Sequence, residues 1–467
     1  MLFDSPVYLI FLTVVVISYW RLGWRKQNLF LLAASYFFYG WWDWRFLGVM
    51  LTSTFVDYNF ALKIADNPNR RFRRTLLIAS LVMNFGFLGF FKYCNFFVDS
   101  FTHVIAFIGL HHISPFFLKI ILPPGISFYT FQEVAYIVDV YKGKQQPSRS
   151  LVDYALFISL FPHLIAGPIQ RPSHLLPQVE RPREFDSRKF FNGLMLILSG
   201  LFRKCVIADN CALLANAAFA GQLGKNCVSL LIGVYAFAWQ IYGDFSGYSD
   251  IARGSAQVLG FHFIVNFRQP YFASSLQDFW RRWHISLSNW LRDYLYIPLG
   301  GNRRGEFRTY INLLITMLLG GLWHGANWTF VVWGGVHGVW LAIERFVAAI
   351  FKQRDKLAFG WTSRVLALGV VGLAWVFFRA SSLSQAFTML SGVTTFSWRA
   401  EYAAALTYLA AVSLVALAMD WRLEYAKEEY VFESAHPRTA VAAALGMCTV
   451  MTLFGAMESS AFIYFQF

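Results

Sequence analysis

Two stretches decide how this chain is read: Phe279-Trp280-Arg281-Arg282-Trp283-His284 and, forty residues on, Gly321-Leu322-Trp323-His324-Gly325. Each sets a histidine beside a tryptophan within apolar sequence of membrane grade. Hydrocarbon cannot solvate an ionisable group, so such groups at membrane depth mark function by default. Two Trp-His pairs, one arginine-rich and one glycine-rich, point to a reaction centre within a bilayer.

The surrounding composition supports that setting. Of 467 residues, 57% are hydrophobic and 14% charged, against about 25% charged in a soluble domain. Mean hydropathy is +0.46. The fold class expected is all-α: one polytopic membrane domain over residues 1–467, without internal repeat or low-complexity linker. The net charge of +14 is read as loop topology, since cytoplasmic loops collect Lys and Arg. A minor share is assigned to anionic partners such as coenzyme A or lipid headgroups. Cys94, Cys205, Cys211, Cys227 and Cys448 fit neither a zinc site nor a disulfide framework and are expected to be mostly small buried residues. Nothing suggests a metal, a dinucleotide or nucleic acid.

A span needs about 20 apolar residues. Candidates lie near 5–21, 28–43, 46–62, 75–93, 101–122, 151–166, 190–208, 228–246, 309–323, 327–345, 362–378, 403–421 and 439–457, giving roughly eleven to thirteen helices. Residues 5–20 read as a first span and not as a cleaved leader. The basic runs 21–26, 63–74, 352–364 and 422–427 should be cytoplasmic, which puts Trp41, Trp42 and Trp44 at the outer interface and sends 462–467 to the outer, periplasmic side.

Three segments break the apolar pattern. In 279–294, Phe279, Trp283, Leu287, Trp290 and Tyr294 form one helical stripe and Arg281, Ser288 and Arg292 the opposite one, as for a helix lying in the interface or walling a polar cavity. His284 falls nearer the polar stripe, and Pro298 with the turn from Gly300 to Gly305 ends the element. The run after Pro123-Pro124-Gly125, with Ser127, Tyr129 and Gln132, and the run Tyr242 to Asp250, with Asp244 and Asp250, both read as irregular. Such backbone is tolerated at membrane depth only when buried or lining a wet cavity, so all three segments are expected to line one chamber.

Chemically, an imidazole there can take a proton from an attacking hydroxyl or carry an acyl group itself. His324 is the stronger candidate, with Gly320, Gly321 and Gly325 admitting substrate and Asn327 nearby. His284 could orient substrate, shape the tunnel or bond to backbone. His163 and His337 are read as packing histidines. Asp244 and Asp250 could orient a histidine or bind substrate, or else pair structurally with a nearby arginine, and Arg303 and Arg304 could meet phosphates at a cytoplasmic mouth.

These motifs resemble the membrane-bound O-acyltransferase superfamily: Gly125 to Gln132, Gly247-Tyr248-Ser249-Asp250, Phe279 to Ser288, Trp290 to Gly301 and Gly320 to Ala326. More closely they resemble its bacterial alginate O-acetyltransferase membrane-subunit branch, in order along nearly the whole chain. The resemblance implies a ring of helices with re-entrant or in-plane helices around a central tunnel. It makes His324 the catalytic histidine and His284 a second active-site residue, with Trp323 on the tunnel wall. It implies acetyl-CoA as a transient donor with no bound cofactor, a bacterial inner-membrane location, and partnership with a periplasmic SGNH-hydrolase-like acetyltransferase of a polysaccharide synthesis and export complex. The closing Phe462-Ile463-Tyr464-Phe465-Gln466-Phe467 resembles the end of a small D-alanylation partner, which makes Tyr464 a candidate acyl carrier; otherwise it is an interfacial anchor.

Two alternatives stand beside this reading. One is direct acylation of a lipid or peptidoglycan. The other is a non-catalytic proton-coupled transporter, which intramembrane histidines and carboxylates also suit, although no inverted repeat is visible.

Overall fold

The computed structural model describes residues 1–108, 120–165, 167–351, 360–431, 433–456 and 462–463, and the described residues are mainly helical, with no strand among them. They fall into two compact units, Met1–Phe190 with Ser255–Phe263, and Phe191–Gly254 with Ile264–Phe467.

The first unit contains α1 (Pro6–Tyr19), α2 (Trp24–Asp43), α3 (Arg45–Asp66), α4 (Arg70–Leu88), α5 (Cys94–Phe107), α6 (Ile126–Tyr141) and the short α7 (Leu151–Ser159), α8 (Phe161–Leu164) and α9 (Pro172–Val179). Polar side chains pin α3, α4 and α6 together. Asp57 of α3 accepts from Ser80 Oγ and, at 2.7 Å, from Asn84 Nδ2, both on α4. Glu133 of α6 accepts from Ser53 Oγ at 3.0 Å and Thr54 Oγ1 at 3.1 Å. Interhelical hydrogen bonds of this kind replace the hydrophobic drive that lipid removes.

The second unit holds α10 (Ser187–Phe202), α11 (Asp209–Phe219), α12 (Cys227–Val258), α13 (Leu276–Arg282), α14 (Ile285–Leu291), α15 (Glu306–His324), α16 (Trp328–Ile350), α17 (Gly360–Arg379), α18 (Leu383–Ser391), α19 (Ala400–Ala426) and α20 (Pro437–Phe454). Helices α10 and α12 approach until their backbones nearly touch. A Cβ on Gly247 would stand 2.7 Å from the Gly200 carbonyl oxygen, and one on Gly254 would stand 2.5 Å from that of Gly193. Glycines seven residues apart on both helices make this crossing, the small-residue packing expected of membrane helices.

Seven helical stretches among the described residues are long and apolar enough to cross a membrane: Arg70–Phe107, Ser187–Phe219, Cys227–Val258, Trp328–Ile350, Gly360–Arg379, Ala400–Ala426 and Pro437–Phe454. The chain is a multi-pass membrane protein. Other expected spans have near-spanning length but not that apolarity, as in α2, α3 and α15, while 151–166 is no span at all, because α7 stops at Ser159 and α8 has four residues. The expected span at 101–122 runs into residues outside the description, as does part of the basic run 352–364.

Three readings of the sequence change here. The stretch Tyr242 to Asp250 is regular helix inside α12, and 78% of that helix's apolar window is buried against 6% for α20, so protein and not lipid surrounds its carboxylates. Residues 126–132 are likewise regular helix, α6, buried along most of its length. Of the cysteines only Cys211 is buried, and Cys448 is exposed on α20.

The close crossing carries a prediction. Gly247→Leu should lower stability by roughly 1–3 kcal/mol or more, since overpacked helices must separate. Gly446→Leu on α20, where an added Cβ meets nothing within 4 Å, should stay within about 0.5 kcal/mol of the parent. Thermal unfolding in detergent distinguishes them, and equal midpoints would refute the crossing.

Candidate functional site

The sequence expects one helix through 279–294, and the chain instead breaks it at His284. Helix α13 starts cleanly: Ser275 Oγ accepts from Asp278 N–H at 3.0 Å, and Glu344 of α16 accepts from the N–H groups of Leu276 and Gln277 at 2.7 and 3.0 Å. These contacts satisfy donors that a helix start leaves orphaned. His284 then takes the left-handed conformation, φ 42° and ψ 53°, before α14 begins. A side chain seldom adopts that region without support.

Asn266 supplies the support. Its carbonyl oxygen accepts from Ile285 N–H at 2.9 Å, and its side-chain oxygen accepts from Ser286 N–H at 3.1 Å and Ser286 Oγ at 2.9 Å. The reversal takes His284 out of the polar stripe and into the interior, where it is 0% exposed. Phe279, Trp283, Leu287 and Trp290 are buried as the stripe required and Tyr294 is half-buried; the helical wheel misplaces the residue at the break.

The same amide sets the imidazole's tautomer. Asn266 Oδ1 lies 3.3 Å from His284 Nδ1 and already accepts from Ser286. Nδ1 therefore carries the hydrogen, and the lone pair sits on Nε2. Burial drives this imidazole down to about 3, so it is neutral at physiological pH.

His324 closes α15, and the two imidazole centroids are 6.3 Å apart. Trp323 sits beside both, its ring 5.9 Å from His284 and 5.1 Å from His324, so that the three rings form a triangle. Trp333 and Phe378 flank His324 at 5.0 and 5.3 Å, leaving it 3% exposed. The neighbouring glycines serve packing and not substrate access. A Cβ on Gly321 would stand 2.1 Å from the Phe330 carbonyl oxygen, one on Gly325 2.1 Å from the Phe330 ring, and one on Gly320 3.1 Å from Leu291 Cδ1. Asn327 caps α16, its side chain accepting from Thr329 N–H at 3.0 Å.

Beside this pair lies a cavity of about 570 Å³ whose wall includes Trp280, Arg281, Arg292, Met317, Glu344 and Arg345. Arg345 is paired with Glu306 at 2.7 Å and Arg292 with Asp293 at 2.7 Å, whereas Arg281 makes no ion pair among the described residues. Arg303 and Arg304 are exposed in the following turn, next to Asn302 of the cavity wall. The Trp280 ring lies 5.8 Å from that of Trp333, so aromatic rings stand in series between cavity and His324. Trp280 Nε1 also donates to His337 Nδ1 at 3.3 Å, giving His337 a packing and hydrogen-bonding place.

The remaining candidates divide. Asp244 is buried against Lys204, whose Nζ is 3.1 Å away, and accepts from Ile463 N–H at 2.7 Å. Asp250 pairs with Arg253 at 3.3 Å. Ser127, Tyr129 and Gln132 belong to the first unit, where Gln132 Oε1 lies 3.1 Å from His163 Nε2. Tyr464 lies outside the described residues, although Phe462 and Ile463 are described and buried. Sequence reasoning missed Asn266, Trp333 and Lys204. Asn266 could have been noticed as an amide in the irregular stretch just before the Trp-Arg-Arg-Trp-His run.

The MBOAT, membrane-bound O-acyltransferase family matches residues 147–384, a stretch that includes both histidines and Asn266. The chain is 45% identical over 403 residues to the probable alginate O-acetylase AlgI of Pseudomonas aeruginosa, covering 85% of this chain and 76% of that protein. It is 37% identical over 425 residues to the peptidoglycan O-acetyltransferase of Helicobacter pylori, covering 84% and 80%. The teichoic acid D-alanyltransferase of Bacillus subtilis is 27% identical over 257 residues, covering 52% and 64%.

Asn266→Leu should destabilise the protein by about 2–4 kcal/mol, because it strands the Ser286 donors in the interior. Thermal unfolding measures this, and an unchanged midpoint would show that Asn266 does not hold the His284 turn.

Proposed function

The chain belongs to the membrane-bound O-acyltransferase family and is an acyltransferase; from that premise we propose that it moves acetyl from cytoplasmic acetyl-CoA across a bacterial inner membrane for O-acetylation of a polysaccharide. The observation that carries the proposal is the meeting of His284 and His324, forty residues apart in sequence and 6.3 Å apart between ring centroids. Similarity to alginate O-acetylases over most of the chain supports acetyl as the group and an alginate-like polymer as the final acceptor. Family membership sets the transporter alternative aside. Similarity to a peptidoglycan O-acetyltransferase supports peptidoglycan as the second choice of acceptor.

In the proposed step His324 is the general base. It takes the proton of the attacking hydroxyl as that oxygen bonds to the thioester carbonyl carbon. The carbon–sulfur bond then breaks, and the thiolate takes the proton back from the imidazolium. An ester and free coenzyme A result, with no net proton released. His284, neutral and held in one tautomer, orients the reacting groups. The cavity with Arg281 on its wall suits an anionic, extended donor, and the Trp280 ring must swing aside for the acetyl end to reach His324. Once it does, the aromatic enclosure keeps water from the activated acyl group.

Trp333 is the proposed stabiliser of the developing oxyanion. Its ring is 5.0 Å from that of His324, and its Nε1 is buried with no hydrogen-bond partner among the described residues, a state that costs stability unless a ligand uses it. Trp333→Phe keeps the ring and removes the donor. It should lower kcat by roughly 10²-fold with KM for acetyl-CoA nearly constant, and an unchanged kcat would remove Trp333 from the chemistry.

The acceptor on the outer face is proposed to be reached through Tyr464 as a transient acetyl ester, handed on to a periplasmic SGNH-hydrolase-like acetyltransferase. Full-length His324→Ala and Tyr464→Phe, at normal protein levels, test the relay together. His324→Ala should abolish coenzyme A release from labelled acetyl-CoA, whereas Tyr464→Phe should abolish polymer acetylation. Full activity in a normally folded His324→Ala protein would sink the mechanism, and intact polymer acetylation in Tyr464→Phe would sink the carrier step.

A further inference from the structure

We infer that Asp244 is a positioning residue that seats Phe462 and Ile463, fixing the backbone one residue before Tyr464 in the sequence. The inference rests on the carrier reading of Tyr464 for its functional consequence, but its structural half stands on described residues alone.

The seat is built from α12 and the irregular turn between α10 and α11. Residues 203–208 form a π-helical turn that carries Lys204 into the interior. Its Nζ lies 2.8 Å from Asp209 and 3.1 Å from Asp244, with all three side chains no more than 4% exposed. Two carboxylates face one ammonium, which leaves acceptor capacity that a donor can satisfy. Ile463 N–H is that donor, meeting Asp244 Oδ2 at 2.7 Å across 219 residues of sequence. A charged acceptor makes this hydrogen bond stronger than a neutral one.

One turn further along α12, Tyr248 stacks on Phe462 with centroids 4.1 Å apart and planes 21° apart. Phe462 is 0% exposed. The approach to the segment is tied down as well: Asn210 Nδ2 donates to the Phe454 carbonyl at 2.8 Å, and Ala456 N–H to the Cys205 carbonyl at 3.3 Å. Phe462 and Ile463 are therefore held by α12, while Phe454 and Ala456 are tied to Asn210 and Cys205. Between Asp244 and Tyr248, Phe245 lies 6.0 Å from Phe462 and meets the His284 ring edge-on at 4.7 Å. One aromatic ring thus separates the seat from the histidine pair, and the next residue in the chain after Ile463 is Tyr464.

The test uses the full-length protein: hydrogen exchange on the peptide containing Ile463 in the purified protein, and steady-state coenzyme A release from acetyl-CoA in membranes that also hold the downstream acetyltransferase and its polymer as acceptor. Asp244→Ala should raise exchange at Ile463 at least tenfold while α15 and α16 keep theirs. It should also lower kcat at least tenfold with KM for acetyl-CoA within twofold. Asp244→Asn keeps an acceptor oxygen and should hold exchange within threefold of the parent. Should Asp244→Ala fail to accumulate, Phe462→Ala removes the stacked ring instead and carries the same expectations. Unchanged exchange at Ile463 overturns the seat, and faster exchange with normal kcat overturns its positioning role. Normal polymer acetylation in Tyr464→Phe strikes the carrier reading alone, because the exchange measurement does not depend on it.

Discussion

Lys204 is the charge on which the second unit is organised. A buried ammonium is tolerated only when carboxylates surround it, and removing a partner typically costs about 3–5 kcal/mol. That requirement determines what its neighbours do. The π-helical turn aims Lys204 inward, α11 must begin with Asp209, and α12 must bring Asp244 to the same point. The glycine crossing at Gly200 and Gly247 permits that approach, because any side chain there would push Asp244 out of reach. Electrostatics and close packing thus impose one geometry, and the segment at Ile463 uses the acceptor left over.

The histidine pair follows a different logic. His284 is fixed by backbone, through the left-handed turn that Asn266 braces, and His324 by the end of α15 against α16. Aromatic rings close the surroundings. An imidazole base in an apolar enclosure can take a proton and return it within one exchange, and this suits an acyl transfer between a thioester and a hydroxyl.

Much of the fold could be read from the chain. Long apolar runs announced a helical membrane protein, and the period of Phe279, Trp283, Leu287 and Trp290 identified the buried face correctly, because burial follows side-chain spacing whatever the backbone does locally. Helix continuity was harder. Polar residues in Tyr242 to Asp250 looked incompatible with a membrane helix, yet α12 runs through them because neighbouring helices and not lipid surround it. Conversely, the Trp-Arg-Arg-Trp-His run looked like one helix and is two.

The sequence by itself determined the class and the family and singled out two histidines that meet in the fold, since composition and short motifs are local properties of the chain. Only the tertiary structure decided that Asn266 orients His284, that the glycines around His324 serve helix packing, and that Asp244 holds a backbone amide 219 residues away. Each of those is a contact between groups remote in sequence. Its energy depends on distance and burial, which no local pattern of residues encodes.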